Sequence, residues 1–293
     1  MTNPLPVPTV PHSIWPRFIT AVYEHGKRNM AAHIYDEEVA QDMLATIMES
    51  LRGPSPDAPR YVRPSGSLCC EFQTHAMING VEPEPMPDDI GLTFALGHSL
   101  HWVAGEYMKA ALPPGFKLEL EKCKKLDWGT HERLATEGHM DMVITVEDAD
   151  LAMQYLDPAA GDSCLTDFKT MGGYSYRKHC TGDIDKAPDG FGYISQLSVY
   201  SEGGTNFDAC VLAGINRDVV GAPIACREVV PGILKREAQQ VRRRIAGGLD
   251  GVEPKPEMRE RWGKEADFYC GGGARKKKGY CPYRFHCPGG MVE

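Results

Sequence analysis

The sequence predicts an α/β protein in which a central mixed sheet is flanked by helices. Two observations support this fold class. Segments in which apolar residues recur at helical spacing are interspersed with short segments in which apolar and polar residues alternate, as they do in strands. The chain has 293 residues, of which 42% are hydrophobic, and this is enough to bury a full α/β core with appendages.

The predicted elements divide the chain into three parts. Residues 1–60 form an N-terminal part, which is Pro-rich and extended at its start, helical over about 12–51, and followed by a linker at 53–59. Residues 61–246 form the core, and residues 247–293 form a cysteine-rich segment that packs back on it. Within the core we predict helices over about 90–111 and 231–246, a further helical stretch around 196–200, and strands over about 138–146, 164–170, 208–216 and 224–230.

The stretch between the first two of these strands, 147–163, is longer than a simple hairpin needs. It contains several acidic side chains, which we interpret as loop carboxylates and not as ligands: Asp148, Asp150, Asp157 and Asp162.

Two aspartates and a lysine form the most informative chemical pattern. Asp167 and Lys169 are two residues apart on a predicted strand, so both side chains point to the same face. Asp141 lies on the preceding strand, where it alternates with an apolar series that includes Met140 and Met142. Carboxylates are ligands that Mg²⁺ prefers, and a nearby cation can orient the attacking water and offset charge on a phosphate. The pattern predicts a divalent-metal site that hydrolyses phosphodiesters.

Two helical stretches can complete such a site. His101 lies in the predicted helix over 90–111, and Gly97 and Ala104 flank it on its own face, so we expect that face to approach the sheet closely. His98 is an alternative to His101 as the metal-binding imidazole. Gln196 and Tyr200 are four residues apart and share a helix face, where an amide and a phenol can hold a phosphate or the lysine.

Four motifs contain these residues, in one order along about a hundred residues. They read as G-x-x-x-H, G-x-x-D, D-x-K and Q-x-x-x-Y: Gly97-His98-Ser99-Leu100-His101, Gly138-His139-Met140-Asp141, Asp167-Phe168-Lys169 and Gln196-Leu197-Ser198-Val199-Tyr200. Each motif is weak alone. In this order, the region from about 61 to 287 resembles the RecB/AddB-like branch of the PD-(D/E)XK nucleases, which includes CRISPR-associated and phage-encoded exonucleases.

The resemblance implies a restriction-endonuclease-like core and a role for each motif residue. It implies that Mg²⁺ or Mn²⁺ is bound by His101, Asp141, Asp167 and the carbonyl of Phe168. Lys169 is then the catalytic lysine, and Gln196 and Tyr200 support that lysine or the DNA.

The resemblance also implies an iron–sulfur cluster. In many of these nucleases one upstream cysteine and three near the C-terminus bind a [4Fe–4S] cluster, which would join the N- and C-terminal segments of the fold. Here the corresponding residues are Cys70, Cys270, Cys281 and Cys287. Cys69 is an alternative to Cys70, structural zinc with His286 as a ligand is an alternative to the cluster, and disulfides are a weaker one. We interpret the cysteines at 123, 164, 180, 210 and 226 as reduced core residues.

The charge is uneven along the chain. The net charge is −8, yet residues 227–293 carry fifteen Lys/Arg and nine Asp/Glu, a net of +6. A groove that follows a nucleic-acid backbone needs such cations. We predict DNA contacts on the helix over 231–246 and in the glycine-rich loop that follows it: Arg242, Arg243, Arg244, Lys276 and Lys277. The alternatives are a solvated helix face and a disordered loop insertion.

The predicted function is a Mg²⁺- or Mn²⁺-dependent deoxyribonuclease, and the resemblance favours an exonuclease on single-stranded or resected ends in recombination, repair or phage DNA processing. An endonuclease on the same core and a non-catalytic DNA-binding or assembly subunit are the alternatives. The sequence lacks a charged and apolar leader and any apolar run of membrane-spanning length. We therefore expect a cytoplasmic protein with no membrane partner, encoded by a cell or by a phage.

Overall fold

The computed structural model describes residues 14–30, 70–84, 88–126, 136–183, 192–219 and 221–257, together with single positions within 41–48 and 270–287. The described helices are α1 (Ile14–Met30), α2 (Glu71–Ile78), α3 (Asp88–Ala111), α4 (Ala149–Ala152), α5 (Gly173–Thr181), α6 (Tyr193–Tyr200) and α7 (Pro231–Leu249), with a 3₁₀ turn at Pro158–Ala160. The described strands are β1 (Phe116–Leu126), β2 (Thr136–Val146), β3 (Ser163–Met171), β4 (Ala209–Asn216) and β5 (Ile224–Glu228).

The described strands form one sheet in the order β1-β2-β3-β4-β5. The β3/β4 pair is parallel, and the other neighbours are antiparallel. The parallel pair requires a crossover, which α5 and α6 supply between β3 and β4. The predicted mixed sheet flanked by helices is confirmed.

Each face of the sheet has its own apolar core. On one face, α1 and α3 pack through residues such as Trp15 and Met108 against Met142 and Ile144 of β2. On the other face, α5, α6 and α7 contribute Tyr176, Leu197 and Val241, among others, to a cluster with Val143 and Leu165. Burial of β3 and β4 on both sides is typical of parallel strands in α/β proteins.

The long connection between β2 and β3 contains α4 and the 3₁₀ turn, as its length predicted. Asp148 accepts a hydrogen bond from the Leu151 amide (3.1 Å), and Asp157 accepts one from the Ala159 amide (2.9 Å). Both carboxylates therefore cap these short helices. The extended start of the chain, the part of the predicted helix beyond Met30 and the linker at 53–59 are predictions that lie wholly or largely outside the described residues.

The N-terminal helix α2 contacts the segment that follows α7. The Phe72 amide donates to the Lys255 carbonyl (3.1 Å), and the Glu71 amide donates to Glu257 Oε2 (3.2 Å). These bonds bring the start of the core next to the segment that follows it. Among the described helices, none has the length and apolar character that a membrane crossing requires.

Candidate active site

The two motif aspartates lie where β2 and β3 separate. The last β2/β3 pair is Met142–Thr166, and Asp141 and Asp167 are the next residues on their strands. The side chain of Asp141 enters the opening, where its Oδ2 accepts a hydrogen bond from the Phe168 amide at 2.7 Å. The ladder therefore ends at a position where two carboxylates meet.

The faces of β2 change at this point. Met140 belongs to the cluster under α6 and α7, whereas Met142 belongs to the cluster under α1 and α3. Simple alternation would place both on one face, so that part of the predicted pattern is wrong. On β1, Glu121 lies opposite Asp141, between the pairs Leu120–Met142 and Lys122–Met140, and has a left-handed φ of 48°. This irregularity in both strands allows Asp141 to face α3.

Asp167, Lys169 and Gln196 form a chain of hydrogen bonds across β3 and α6. Lys169 Nζ donates to Asp167 Oδ1 (3.0 Å) and to Gln196 Oε1 (2.9 Å). Gln196 Nε2 then donates to the hydroxyl of Tyr200 at 3.3 Å. The D-x-K and Q-x-x-x-Y residues therefore share one site. Gln196 could contact either a phosphate or the lysine, and the geometry matches contact with the lysine.

Tyr193 is a site residue that the sequence reasoning missed. Its ring centroid lies 5.4 Å from Lys169 Nζ, within the range of a cation–π contact. The side chain of Lys169 is only 12% exposed, so this contact is little weakened by water. The available signal was its position three residues before Gln196, which places both side chains on one helix face.

Gly138 of the second motif makes room for Tyr200. A Cβ at this position would lie 2.5 Å from Cε1 of the Tyr200 ring, which is buried. By contrast, a Cβ at Gly97 of the first motif would meet no described atom within 4 Å, so among the described residues Gly97 does not make the predicted close approach. Helix α3 approaches the sheet through Ala104, which is fully buried, and Gly105, where a Cβ would lie 2.9 Å from Leu120.

The histidines of α3 differ in their position. His101 Nδ1 lies 3.6 Å from Asp141 Oδ2, while the His98 side chain is exposed. Burial, and then the charge of Lys169, lower the pKa of His101 to about 3. The imidazole is therefore neutral, which is the form that binds metals. Of the two alternatives, the geometry favours His101.

The pKa values of both motif aspartates are raised. Burial raises the pKa of Asp167 to about 6, with a further rise from Asp141, although the Lys169 charge opposes it. Burial also raises the pKa of Asp141. Asp167 Oδ2 lies 2.8 Å from Lys169 Nζ but in a poor orientation, and it is a buried oxygen without a hydrogen bond. A divalent ion would add positive charge beyond that of Lys169 and so favour the ionised form of both carboxylates.

Glu121 is a further carboxylate that the sequence reasoning missed. Its pKa is raised to about 7 by burial and by the negative charges of Asp141 and Asp167. Because 62% of its side chain is exposed, we attribute more of this rise to the two aspartates than to burial. His139 Nδ1 lies 3.8 Å from Glu121 Oε2. The left-handed backbone conformation at Glu121 could not be predicted, because glutamate has no preference for it.

The donor set fits a hard divalent ion. Within the described ranges, no three His, Cys, Asp or Glu side chains already converge as a complete metal shell. Lys169 and the Phe168 amide instead contact the two aspartates and partly neutralise them. Carboxylates with raised pKa values and one unsatisfied oxygen are what a Mg²⁺ or Mn²⁺ ion would stabilise.

Three of the four cysteines of the second predicted centre share one apolar cluster, but among the described residues they do not converge as a ready metal site. Cys70 and Cys281 are buried together with Tyr283, and Cys270 packs against them. Burial raises the pKa of Cys281 to about 12, and the thiols of Cys70, Cys270 and Cys287 add to the rise. No disulfide joins any described cysteine. Cys69 lies outside the described residues.

The other predicted cysteine contexts agree in part with the structure. Cys164, Cys210 and Cys226 are buried, and Cys180 is half-buried. The side chain of Cys123 is outside the described part of the chain.

The predicted DNA contacts on α7 need one correction. Arg242 and Arg243 are exposed, but Arg244 is only 4% exposed. Its Nε and Nη2 donate to the Glu257 carboxylate (2.7 and 2.8 Å), and its Nη1 donates to Glu237 (3.3 Å). Arg244 is therefore a structural residue and cannot reach a phosphate. The predicted contacts at Lys276 and Lys277 lie outside the described residues.

Comparisons with known proteins give a narrow result. No protein-family model and no curated protein matches the chain. Among solved structures, one described as "Crystal structure of SSO0001" is similar at a TM-score of 0.38 and 13% identity, over 87% of this chain and 98% of that one. A similarity of this size assigns neither a family nor an activity.

Proposed function

We propose that this protein is a divalent-metal-dependent deoxyribonuclease of the PD-(D/E)XK type that acts as an exonuclease on single-stranded or resected DNA ends. One observation carries the proposal. Asp141, Asp167, Lys169 and Gln196 belong to motifs far apart in the sequence, and they meet where β2 and β3 separate. The preference for ends comes from the resemblance of the motifs.

The site residues have distinct roles in this proposal. His101, Asp141, Asp167 and the Phe168 carbonyl would hold Mg²⁺ or Mn²⁺, which supplies Lewis-acid polarisation of the phosphate and a water of lowered pKa. Lys169 stabilises the negative charge that grows on the phosphate and orients the attacking water. Gln196 and Tyr193 hold the ammonium in place from α6.

The test uses linear DNA with an end label and circular single-stranded DNA, each with Mg²⁺ or Mn²⁺. Wild-type protein should degrade the linear DNA from its ends and leave the circle intact. Asp167→Asn should remove cleavage and keep the circular-dichroism spectrum of the wild type. Asp150→Asn is the matched control, because this exposed carboxylate lies in α4, beyond the end of β2 that is away from Asp141. Cleavage of the circle would indicate an endonuclease, and full activity of Asp167→Asn would overturn the proposal.

We also propose that Cys70, Cys270, Cys281 and Cys287 hold a [4Fe–4S] cluster. The support is the cluster that Cys70, Cys270 and Cys281 share, together with the rise in the pKa of Cys281 to which the thiols of Cys70, Cys270 and Cys287 contribute. Such a cluster would join the start of the core to the C-terminal cysteine-rich segment, and reduced thiols suit an intracellular, cytoplasmic protein.

Protein purified without oxygen should be brown, with broad absorbance near ~400 nm and about four irons per chain. Cys281→Ser should bleach it, while Cys180→Ser, a half-buried cysteine of α5, should not. A colourless protein with one tightly bound zinc would replace the cluster with the zinc alternative. Bleaching by Cys69→Ser and not by Cys70→Ser would move the upstream ligand by one residue.

A further inference from the structure

Helix α5 presents an exposed aromatic ring, an exposed arginine and a half-buried lysine on the face that points away from the sheet. Tyr174, Arg177 and Lys178 stand at positions i, i+3 and i+4, so they lie on the same side of the helix. The opposite side, with Tyr176 and His179, is buried against the sheet. The exposed face has no role in the packing of the described core.

Tyr174 is the most notable member of this face. Its side chain is 66% exposed, which is unusual for a large aromatic residue, and Lys178 Nζ lies 4.9 Å from its ring centroid. Helix α5 contains no acidic residue. Asp218, which lies near the start of the helix, accepts a hydrogen bond from the Gly173 amide (2.6 Å), and its Oδ1 lies 3.9 Å from Arg217 Nε, which partly offsets its charge.

The face is also close to the candidate active site. Helix α5 begins directly after β3, and Tyr174 is only five positions along the chain from Lys169. Five residues span at most about 17 Å. That distance corresponds to about five stacked nucleotides at ~3.4 Å each. A strand cut beside Lys169 can therefore reach Tyr174.

We infer that the exposed face of α5 binds single-stranded DNA next to the active site, with one base stacked on Tyr174 and phosphates paired with Arg177 and Lys178. An exposed aromatic ring beside cations is the combination that binds single strands without reading sequence. The inference rests on the proposed function, because it assigns a path to the strand that the site would cut.

The test is binding of a fluorescent 20-residue oligothymidine in EDTA, measured by anisotropy, so that it does not depend on cleavage. Tyr174→Ala should weaken binding roughly 5- to 150-fold, the range for loss of one stacked base. Tyr174→Phe keeps the ring and should stay within about twofold of wild type. Lys178→Gln should lower the log–log salt slope by about 0.7, as the loss of one phosphate contact does.

Tyr155→Ala is the matched control. This tyrosine is 50% exposed but precedes β3, at the end of the strand away from Lys169, so its loss should leave binding unchanged. Equal affinity of Tyr174→Ala and wild type, equal losses in both alanine variants, or no binding by wild type would each overturn the inference. If wild type binds the oligonucleotide through Tyr174 but does not cleave DNA, the proposed nuclease function is overturned and the inference about binding stands.

Discussion

The glycine of the second motif offers a sharp test of how the site is built. In Gly138→Ala, the new methyl group would lie 2.5 Å from Cε1 and 2.8 Å from the hydroxyl of Tyr200. The Tyr200 ring is 3% exposed and rigid, so it cannot swing into solvent. It must shift within the core, and Gln196 and Lys169, which follow it in the hydrogen-bond chain, must shift with it.

Two magnitudes follow from this clash. Overpacking of a filled core costs about 1–3 kcal/mol, so Gly138→Ala should lower the free energy of unfolding by that amount in urea titrations. Displacement of residues that orient a catalytic group costs about 10- to 100-fold in activity. The cleavage rate with saturating metal should therefore fall by about that factor.

Gly97→Ala is the matched control from the first motif. In the part of the chain that the structure describes, nothing lies within 4 Å of its new methyl group, and alanine in a helix interior is favoured over glycine by about 0.5–1 kcal/mol. This variant should be as stable as wild type or more stable, with unchanged cleavage. Our reasoning would be refuted if Gly138→Ala kept full stability and activity, or if the two variants were equally damaged.

Three further predictions concern other parts of the molecule. Tyr193→Leu should reduce the cleavage rate roughly 2- to 30-fold, the range for loss of a cation–π contact, with little change in KM, while Tyr193→Phe should retain the wild-type rate; equal rates for both would remove Tyr193 from the site. Arg244→Met should cost about 3–5 kcal/mol in urea titrations because it leaves the Glu257 carboxylate unpaired, whereas the exposed Arg243→Gln should stay within about 0.5 kcal/mol; similar values for the two would contradict the burial of Arg244. Burial lowers the pKa of His179 from 6.5 to about 4, so between these pH values the unfolded chain binds a proton that the folded chain does not. The stability due to neutral His179 is therefore present above pH ~6.5 and lost as the pH falls towards 4. In His179→Gln the melting temperature should depend less on pH in this window, and a pH dependence equal to that of wild type would contradict the role of His179.

The parts of the site that follow from local spacing could be predicted from the sequence. Asp167 and Lys169 share a face because strand side chains repeat every two residues, and Gln196 and Tyr200 share a face because helix side chains repeat every three to four. Sequence spacing also located the strands on which these residues lie. These regularities depend only on the backbone of a single element.

The parts that depend on contacts between elements could not be predicted in this way. The change of face at Asp141 arises from an irregularity shared by β1 and β2, and the left-handed φ of Glu121 has no residue preference to reveal it. Arg244 has the same sequence context as its two exposed neighbours, and only the fold places Glu257 beside it. The space around Gly97 likewise depends on how α3 lies on the sheet.

The most direct test of the central claim is a Mn²⁺ titration of three proteins by calorimetry, beside their cleavage rates. The account predicts that wild type binds Mn²⁺ and cleaves, that Asp167→Asn loses both, and that Lys169→Ala binds Mn²⁺ at least as well as wild type but does not cleave. The lysine variant should keep the metal because it removes a cation that competes for Asp167. Equal Mn²⁺ binding by Asp167→Asn and wild type, or normal cleavage by Lys169→Ala, would contradict the account.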